Sequence, residues 1–382
     1  MWELEAHFSV VTPLFLGGAD PVKDEELSLR VPSLKGALRF WYRAAALARL
    51  GSLARVRNEE AAVFGSTKTG QSLFLARVED VNLKTVNKGE KVLGGIAYLG
   101  YGVANWNSKA RAALTTRPYI KPGSSFKLRL LLRPQKEINQ DYINDLKLAV
   151  QALGLFGGLG ARSRRGLGSL GLMSLKENGQ VIWSPPRTID ELKHKYEEFF
   201  RKLNLPDNPE LPEYTAFSRH SRVVIVAADR NPERLLNTVG QAMNHYRSYR
   251  KDKNYPRDHD VAREIANHKQ PQEHPVRLAF GLPHNYFFSS DKSIVNVSGQ
   301  KGEEEYRRAS PLFIHIHPLE QEPAAVLTFL PANFLPSGVE ILMTAHGNRV
   351  KVPSGIKTVG DFHPITDFMD SFSQRMEVKI GG

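Results

Sequence analysis

The chain has 382 residues, 41% of them hydrophobic and none of them cysteine. That length exceeds one ordinary core, so two domains are expected, while disulfides, thiolate metal sites and cysteine nucleophiles are excluded. The formal net charge of +12 points to nucleic acid or another polyanion as the partner.

The charge is unevenly placed. Lysines and arginines outnumber acids by 27 to 15 up to Arg187 and match them at 25 to 25 from Thr188 onward. The opening from Met1 to His7 has neither a basic nor an apolar leader, and no apolar run reaches the length of a membrane span; a cytoplasmic chain without membrane contact is expected.

From Trp2 to Val10 the sequence alternates, with Trp2, Leu4, Ala6, Phe8 and Val10 on one side and Glu3, Glu5, His7 and Ser9 on the other. This is a strand with one buried face. A turn-rich stretch through Pro13, Gly17, Gly18 and Pro21 leads to a helix opened by Pro32 and capped by Ser33. On it Leu34, Leu38, Trp41, Ala45 and Ala48 form a core stripe, and Lys35, Arg39 and Arg43 a basic one beside it. No acid follows these cations at i+4, so the face is expected to stay positive and to meet phosphates.

The run from Gly65 to Ser72 nearly spells a phosphate-binding loop, but Gln71 stands where the lysine must be, so an ordinary turn is expected. Residues 72–78 and 126–132 read as strands. Residues 141–153 read as a helix, with Ile143, Leu146, Ala149, Val150 and Leu153 at core spacing and Gly154 as its stop.

The most unusual segment of the chain comes next. Glycines recur at Gly154, Gly157, Gly158, Gly160, Gly166, Gly168 and Gly171 around Arg162, Ser163, Arg164 and Arg165. Glycine lets backbone approach a ligand closely, clustered N–H groups can face one anion, and guanidinium forks suit phosphate oxygens. Gly166, Gly168 and Gly171 formally match a dinucleotide fingerprint, but a helix precedes them and a strand succeeds them, the reverse of what that motif needs. Residues 170–175 return as a strand. Strand, helix, two strands, helix, strand is the βαββαβ ferredoxin-like pattern with insertions, an α+β class.

Prolines bracket a charged helix over 190–203, which sets a junction. The chain divides into an N-terminal domain at 1–185, a linker at 186–214 and a C-terminal domain at 215–382. In the latter, 222–227 is a strand, Asn231 and Pro232 open a helix, and 312–317, 325–330 and 339–343 are strands. This domain reads as a diverged copy of the first without an evident second helix. Residues 250–272 read as an exposed polar insertion, and Arg247, Arg250, Lys251 and Lys253 are offset by Asp252 and Asp258.

Other constellations read as structural. Asp20, Asp24, Glu25 and Glu26 make a solvated loop without a second ligand set. His315 and His317 share a strand face but lack a third ligand, with His363 only a distant choice. No metal or cofactor is expected, and no nucleophile elbow or aromatic ribonucleoprotein motif occurs.

The segments from Phe8 to Gly18 and from Arg30 to Arg43, together with the glycine–arginine loop, resemble the RAMP superfamily of CRISPR-associated proteins. Within it the likeness is to the subunit-one family of the type III-B Cmr effector, and Arg307 to Leu312 resembles a later segment of that family. The resemblance implies two tandem ferredoxin-like domains and a non-catalytic role gripping guide RNA (crRNA) toward its 3′ end. Target single-stranded RNA and other Cmr-type subunits are the further partners it implies. The family's RNA-binding positions fall here on Lys35, Arg39, Arg43, Arg162, Arg164 and Arg165, with Gly157, Gly158, Gly160, Ser163 and Gly166 around them. The competing reading is a metal-independent CRISPR precursor-RNA endoribonuclease. It would need a general base, for which His7 on the polar face of the first strand is the candidate.

Overall fold

Alternation sets the first strand, β1 (Glu3–Val10), whose Leu4, Ala6, Phe8 and Val10 are buried. The computed structural model describes residues 2–17, 27–134, 139–248, 255–352 and 355–381. The acids at 20 and 24–26 and the basic run at 250–253 lie outside the described residues.

Two helices come after β1, α1 (Val31–Leu50) and α2 (Leu53–Phe64), then β2 (Phe74–Asn82). A small insertion comprises β3 (Thr85–Val86), β4 (Lys91–Val92), α3 (Gly94–Leu99), β5 (Ala104–Asn107), β6 (Ala112–Thr115) and β7 (Tyr119–Ile120). The chain returns through β8 (Ser125–Leu132), α4 (Gln140–Leu155), β9 (Leu170–Glu177), β10 (Gln180–Trp183) and α5 (Ile189–Leu203). The sheet runs β10-β9-β1-β8-β2 and every pairing in it is antiparallel. Leaving out the edge strand β10, the spatial order is fourth, first, third, second. Helices α1 and α4 cover one face, where Leu34, Leu38, Trp41, Leu146 and Leu153 share a core with the inward side of β1.

Three local expectations are corrected here. Helix α1 starts at Val31 with Arg30 as an N-cap that makes no side-chain bond, so Ser33 lies inside the first turn. Helix α4 passes through Gly154 to Leu155. A Cβ on Gly154 would lie 2.4 Å from Cβ of Leu172, so this glycine lets helix and strand touch and does not stop the helix. Helix α5 is no free linker: its Leu192, Tyr196, Phe199, Phe200 and Leu203 are buried in the first core.

The second half contains β11 (Arg222–Ala228), α6 (Pro232–Arg247), α7 (Pro256–Ala266), β12 (His284–Phe287), β13 (Ile294–Lys301), β14 (Glu304–Tyr306), β15 (Leu312–His317) and β16 (Ala324–Phe329). It ends with β17 (Glu340–Ala345), β18 (Asn348–Val352), α8 (His363–Asp370) and β19 (Met376–Glu377). Asn231 caps α6 as expected, accepting from the N–H groups of Glu233 and Arg234. Its main sheet is ordered β15-β16-β11-β19, the same arrangement read from the other edge, with α6 and α8 in the helix positions. Helix α8 is the second helix that the sequence does not reveal. The stretch expected to be an exposed insertion holds α7, with Val261, Ala262 and Ile265 buried.

Every residue of β15 and β16 is buried. Phe313, Ala324 and Val326 join the first core, whereas Leu312, Ile314, Ile316, Ala325, Leu327 and Phe329 join the second. The two halves therefore meet across one sheet, and the loop after α4 lies at that seam.

Candidate nucleic-acid interface

The glycine–arginine loop is held by its own protein on several sides. The buried Thr12 hydroxyl donates to the carbonyl of Gly166 at 2.6 Å and accepts from the N–H of Ser169 at 2.9 Å. The N–H groups of Ala161 and Gly168 donate to the carbonyls of Phe15 and Pro13, both at 2.9 Å. Glycine is required by this closeness. A Cβ on Gly157 would stand 2.6 Å from Nε1 of Trp41, and one on Gly160, at φ +76°, would stand 2.3 Å from the carbonyl oxygen of Phe15. Gly158 and Gly166 are closed over in the same way by Gly168 and Leu236. On their Cβ side these four glycines bring the backbone against other parts of this chain, and Gly157 and Gly158 also border the cleft beside Arg164.

The second half completes the fixation. The N–H of Ile314 donates to the carbonyl of Arg164 at 2.9 Å, and Arg165 bridges Ile314 in parallel fashion beside β15. Nδ1 of His315 pairs with the carbonyl of Gly157 at 2.9 Å, and Nη1 of Arg164 donates to the carbonyl of Ser310 at 3.0 Å. The Arg164 guanidinium lies over the rings of Phe40 on α1, at 5.0 Å, and Phe313 on β15, at 4.7 Å. Ala37, Phe40, Gly158, Ser163, Arg164 and Phe313 border a cleft of about 130 Å³.

Around this seam the described residues place no acid against the cations. Arg164 has Arg308 as its charged neighbour, and Arg165 has Arg247 and Arg162. Among the described residues no carboxylate pairs with any of these five. Burial, with the like charge beside each as the smaller cause, pushes both Arg164 and Arg165 down to about 10; they remain charged at neutral pH. Burial lowers Arg308 as well. Its Nε and Nη2, and Nε of Arg247, are buried without a hydrogen-bond partner. Asp258, expected to offset Arg247, is committed elsewhere: it accepts from the N–H groups of Val276 and Arg277 and from Nε of Arg277. Arg247 instead lies over Phe280 and donates to the Tyr98 hydroxyl. Gathering unpaired cations in partial burial is costly, and an anion with several oxygens would satisfy the free donors at once.

The helix stripe departs from expectation. Glu60 of α2 forms an ion pair with Arg39, whose Nε lies 3.0 Å away, and accepts from Nη1 of Arg43 at 3.0 Å; Arg39 also donates to the carbonyl of Gly65 at 2.7 Å. The face is less positive than its sequence suggests, because its counter-charge comes from a neighbouring helix. Lys35 lies over Phe74 at 5.7 Å, and burial, then Arg39 and Arg133, lowers its pKa. The stretch from Gly65 to Ser72 is an exposed turn closed by Ser66 and Gly70.

His7 lies on the sheet face opposite α1 and α4. Its pKa is lowered by burial first and then by Lys127. That face is a balanced charge network: Arg129 reaches Glu3, Glu5 and Glu79 within 3.4 Å, and Lys127 pairs with Asp80 at 2.7 Å. His315 and His317 are buried, and no group of three potential ligands is close enough to hold a metal ion among the described residues. No described helix is long and apolar enough to cross a membrane.

Sequence alone leaves Arg247 unassigned and points to Arg308 only within a resembling segment. Each lies far along the chain from the loop it joins. The Arg307–Arg308 pair just before β15 is the one local signal for it.

The family model of the RAMP superfamily matches residues 7–171. Within that superfamily its likeness is to subunit one of the Cmr system. It is 26% identical over 322 residues to CRISPR system Cmr subunit Cmr1-1 of Pyrococcus furiosus, covering 81% of this chain and 82% of that protein. Subunit Cmr1-2 of the same organism is 28% identical over 192 residues, covering 46% of this chain and 98% of the relative. The apo crystal structure of Cmr1 from Pyrococcus furiosus shares the mixed α/β fold at a TM-score of 0.56 and 20% identity, over 99% of both chains. A chain of the type III-B Cmr-beta cryo-EM structure bound to cognate target RNA does so at 0.51 and 13%, covering 96% of this chain and 99% of that one.

Proposed function

We propose that this protein is a non-catalytic, guide-RNA-binding subunit of a type III-B CRISPR RNA-guided complex, acting in the cytoplasm with other Cmr-type subunits. It holds single-stranded RNA by phosphate contacts, toward the 3′ end of the crRNA, with target RNA as a further partner. Its two βαββαβ units are a tandem ferredoxin-like pair, at 1–185 and 215–382, with the intervening helix docked on the first. The sheet orders support that reading.

The observation that carries the proposal is the set of Arg164, Arg165, Arg247 and Arg308 where the two halves meet, against which the described residues place no carboxylate. Arg162 and Ser163 extend it along the loop, and the α1 stripe of Lys35, Arg39 and Arg43 contributes further contacts, less what Glu60 holds. Contacts to phosphate position a strand without reading its sequence, which suits a complex whose specificity comes from base pairing.

The test is equilibrium binding of a uridine 12-mer across a salt series. Replacing Arg164, Arg165 and Arg308 together by alanine should weaken binding and reduce the slope of log K against log salt by about 2, at roughly 0.7 per phosphate contact. Unchanged affinity and slope would remove the proposal. The nuclease reading has less support, because His7 sits within the Lys127–Asp80 network on the opposite sheet face. Labelled CRISPR repeat RNA should stay intact with purified protein, and a specific cut abolished by His7→Ala would reinstate that reading.

A further inference from the structure

The insertion between β2 and β8 carries the most exposed aromatic side chains among the described residues. Tyr101 is 72% and Trp106 is 70% exposed. Both line a groove of about 990 Å³, at the upper end of the roughly 300–1,000 Å³ that bound small molecules occupy. Trp106 stands on β5 opposite Ala113 of β6, and Ala112 beside it also lines the groove. Alanines are too short to cover an indole. The turn between the two aromatics is fixed by Oδ1 of Asn105, which accepts from the N–H of Gly102 at 3.3 Å.

The setting is basic and continuous with the arginine cluster. Lys91 and Arg234 line the groove against one carboxylate, Glu233, and Lys109 and Arg111 are exposed at the β5–β6 turn. Nε of Arg162 donates to the carbonyl of Tyr101 at 2.9 Å, and Arg162 is also a charged neighbour of Arg165. A strand held by its phosphates at Arg164 and Arg165 thus has an aromatic-lined groove within reach of its next nucleotides. An apolar protein segment would leave those cations without partners. A strand with charged backbone and flat apolar bases matches both features, as in single-strand binding grooves elsewhere.

We infer that Trp106 and Tyr101 form a stacking site for unpaired nucleobases of the RNA strand held at the arginine cluster. This rests on the phosphate-binding function proposed above. The site is indifferent to sequence, since every base presents a π face.

The test compares a uridine 12-mer with an abasic ribose–phosphate chain of equal length on the full-length protein. Trp106→Ala should weaken uridine RNA binding roughly 5- to 150-fold, the range of one lost base stack, and leave the abasic chain unaffected. Trp106→Phe should retain most of the affinity, and Tyr101→Ala should fall in the same direction. Both positions are exposed, and far-UV circular dichroism checks the fold. Uridine RNA bound equally by wild type, Trp106→Ala and Tyr101→Ala, while Arg164→Ala still weakens it, would overturn the stacking site and leave the phosphate site standing. Wild type that binds neither chain would overturn both. If Trp106→Ala keeps its RNA affinity but loses a co-purifying effector subunit, the groove is a protein interface and the inference fails.

Discussion

Arg164 and Phe313 lie on different halves of the chain, yet the guanidinium stands 4.7 Å from the ring centre. Phe40 faces the same group at 5.0 Å. Aromatic faces attract a cation without neutralising it, at roughly 0.5–2 kcal/mol each. A carboxylate in that place would hold Arg164 more firmly but would compete with an incoming phosphate. The packing therefore positions a charge and keeps it available.

Phe313→Leu should preserve most core volume while removing one aromatic face. A loss of about 1–2 kcal/mol in urea unfolding is expected, from a near-isosteric core swap and a lost cation–π contact. RNA affinity should fall together with it. An affinity drop without any stability change would place Phe313 in direct contact with RNA.

Glu60 restrains two of the cations on α1, so removing its charge should release them. Glu60→Gln is expected to raise RNA affinity several-fold at low salt and to steepen the salt dependence. Stability should decline modestly, about 1 kcal/mol or less, because Arg39 and Arg43 are each about a third exposed (34% and 37%) and such pairs are screened. The affinity gain should vanish in Glu60→Gln combined with Arg39→Ala and Arg43→Ala. Binding measured across a salt series checks both parts.

How much of the fold and site is legible in the sequence depends on the range of each signal. The alternation of β1 and the stripes of α1 and α4 are local, and the first βαββαβ unit can be read from them. Helix α8 has eight residues and β19 two, too short for a periodic pattern, so the second unit reads as incomplete. The glycines announce a close approach but not to what; Trp41 and Phe15, far away in sequence, stand where a Cβ on Gly157 or Gly160 would be. Glu60, Arg247 and Arg308 are invisible as neighbours for the same reason. Spacing within one helix says nothing about what another element places against it. The cationic character of the loop is legible, whereas its completion by the second half is not.

The insertion is fastened to the second half by a glycine contact. A Cβ on Gly95 would lie 2.1 Å from the carbonyl oxygen of Asn237, and one on Gly240 would lie 2.2 Å from that of Gly95. The N–H of Gly95 also donates to Oδ1 of Asn237 at 2.8 Å. Gly95→Ala must push α3 off α6, at a cost of roughly 1–3 kcal/mol for overpacking. Amide exchange should accelerate across 94–120 more than in β1 or β8. Uniform acceleration along the chain would mean that the insertion and the two sheets unfold as one unit.

Acid should loosen the seam through His315. Its ring is fully buried, with Nδ1 on the Gly157 carbonyl and Nε2 lacking a partner. Burial pushes its pKa from the ordinary 6.5 down to about 4. His317, with its ring centre 5.5 Å away, is lowered by burial too, and His315 adds to that. Between pH 6.5 and 4 the unfolded chain takes up the proton that the folded chain refuses, so stability is complete above 6.5 and falls as pH falls. From pH 6.5 to 5 the loss for His315 is roughly 2 kcal/mol, at about 1.4 kcal/mol per unit. His315→Asn keeps an N–H donor for Gly157 and cannot titrate. Its urea midpoint should drop less than that of wild type between pH 7 and pH 5, and its RNA affinity should hold over the same interval. Equal acid sensitivity in the two proteins would mean that water reaches this ring and that the glycine loop is not sealed by β15.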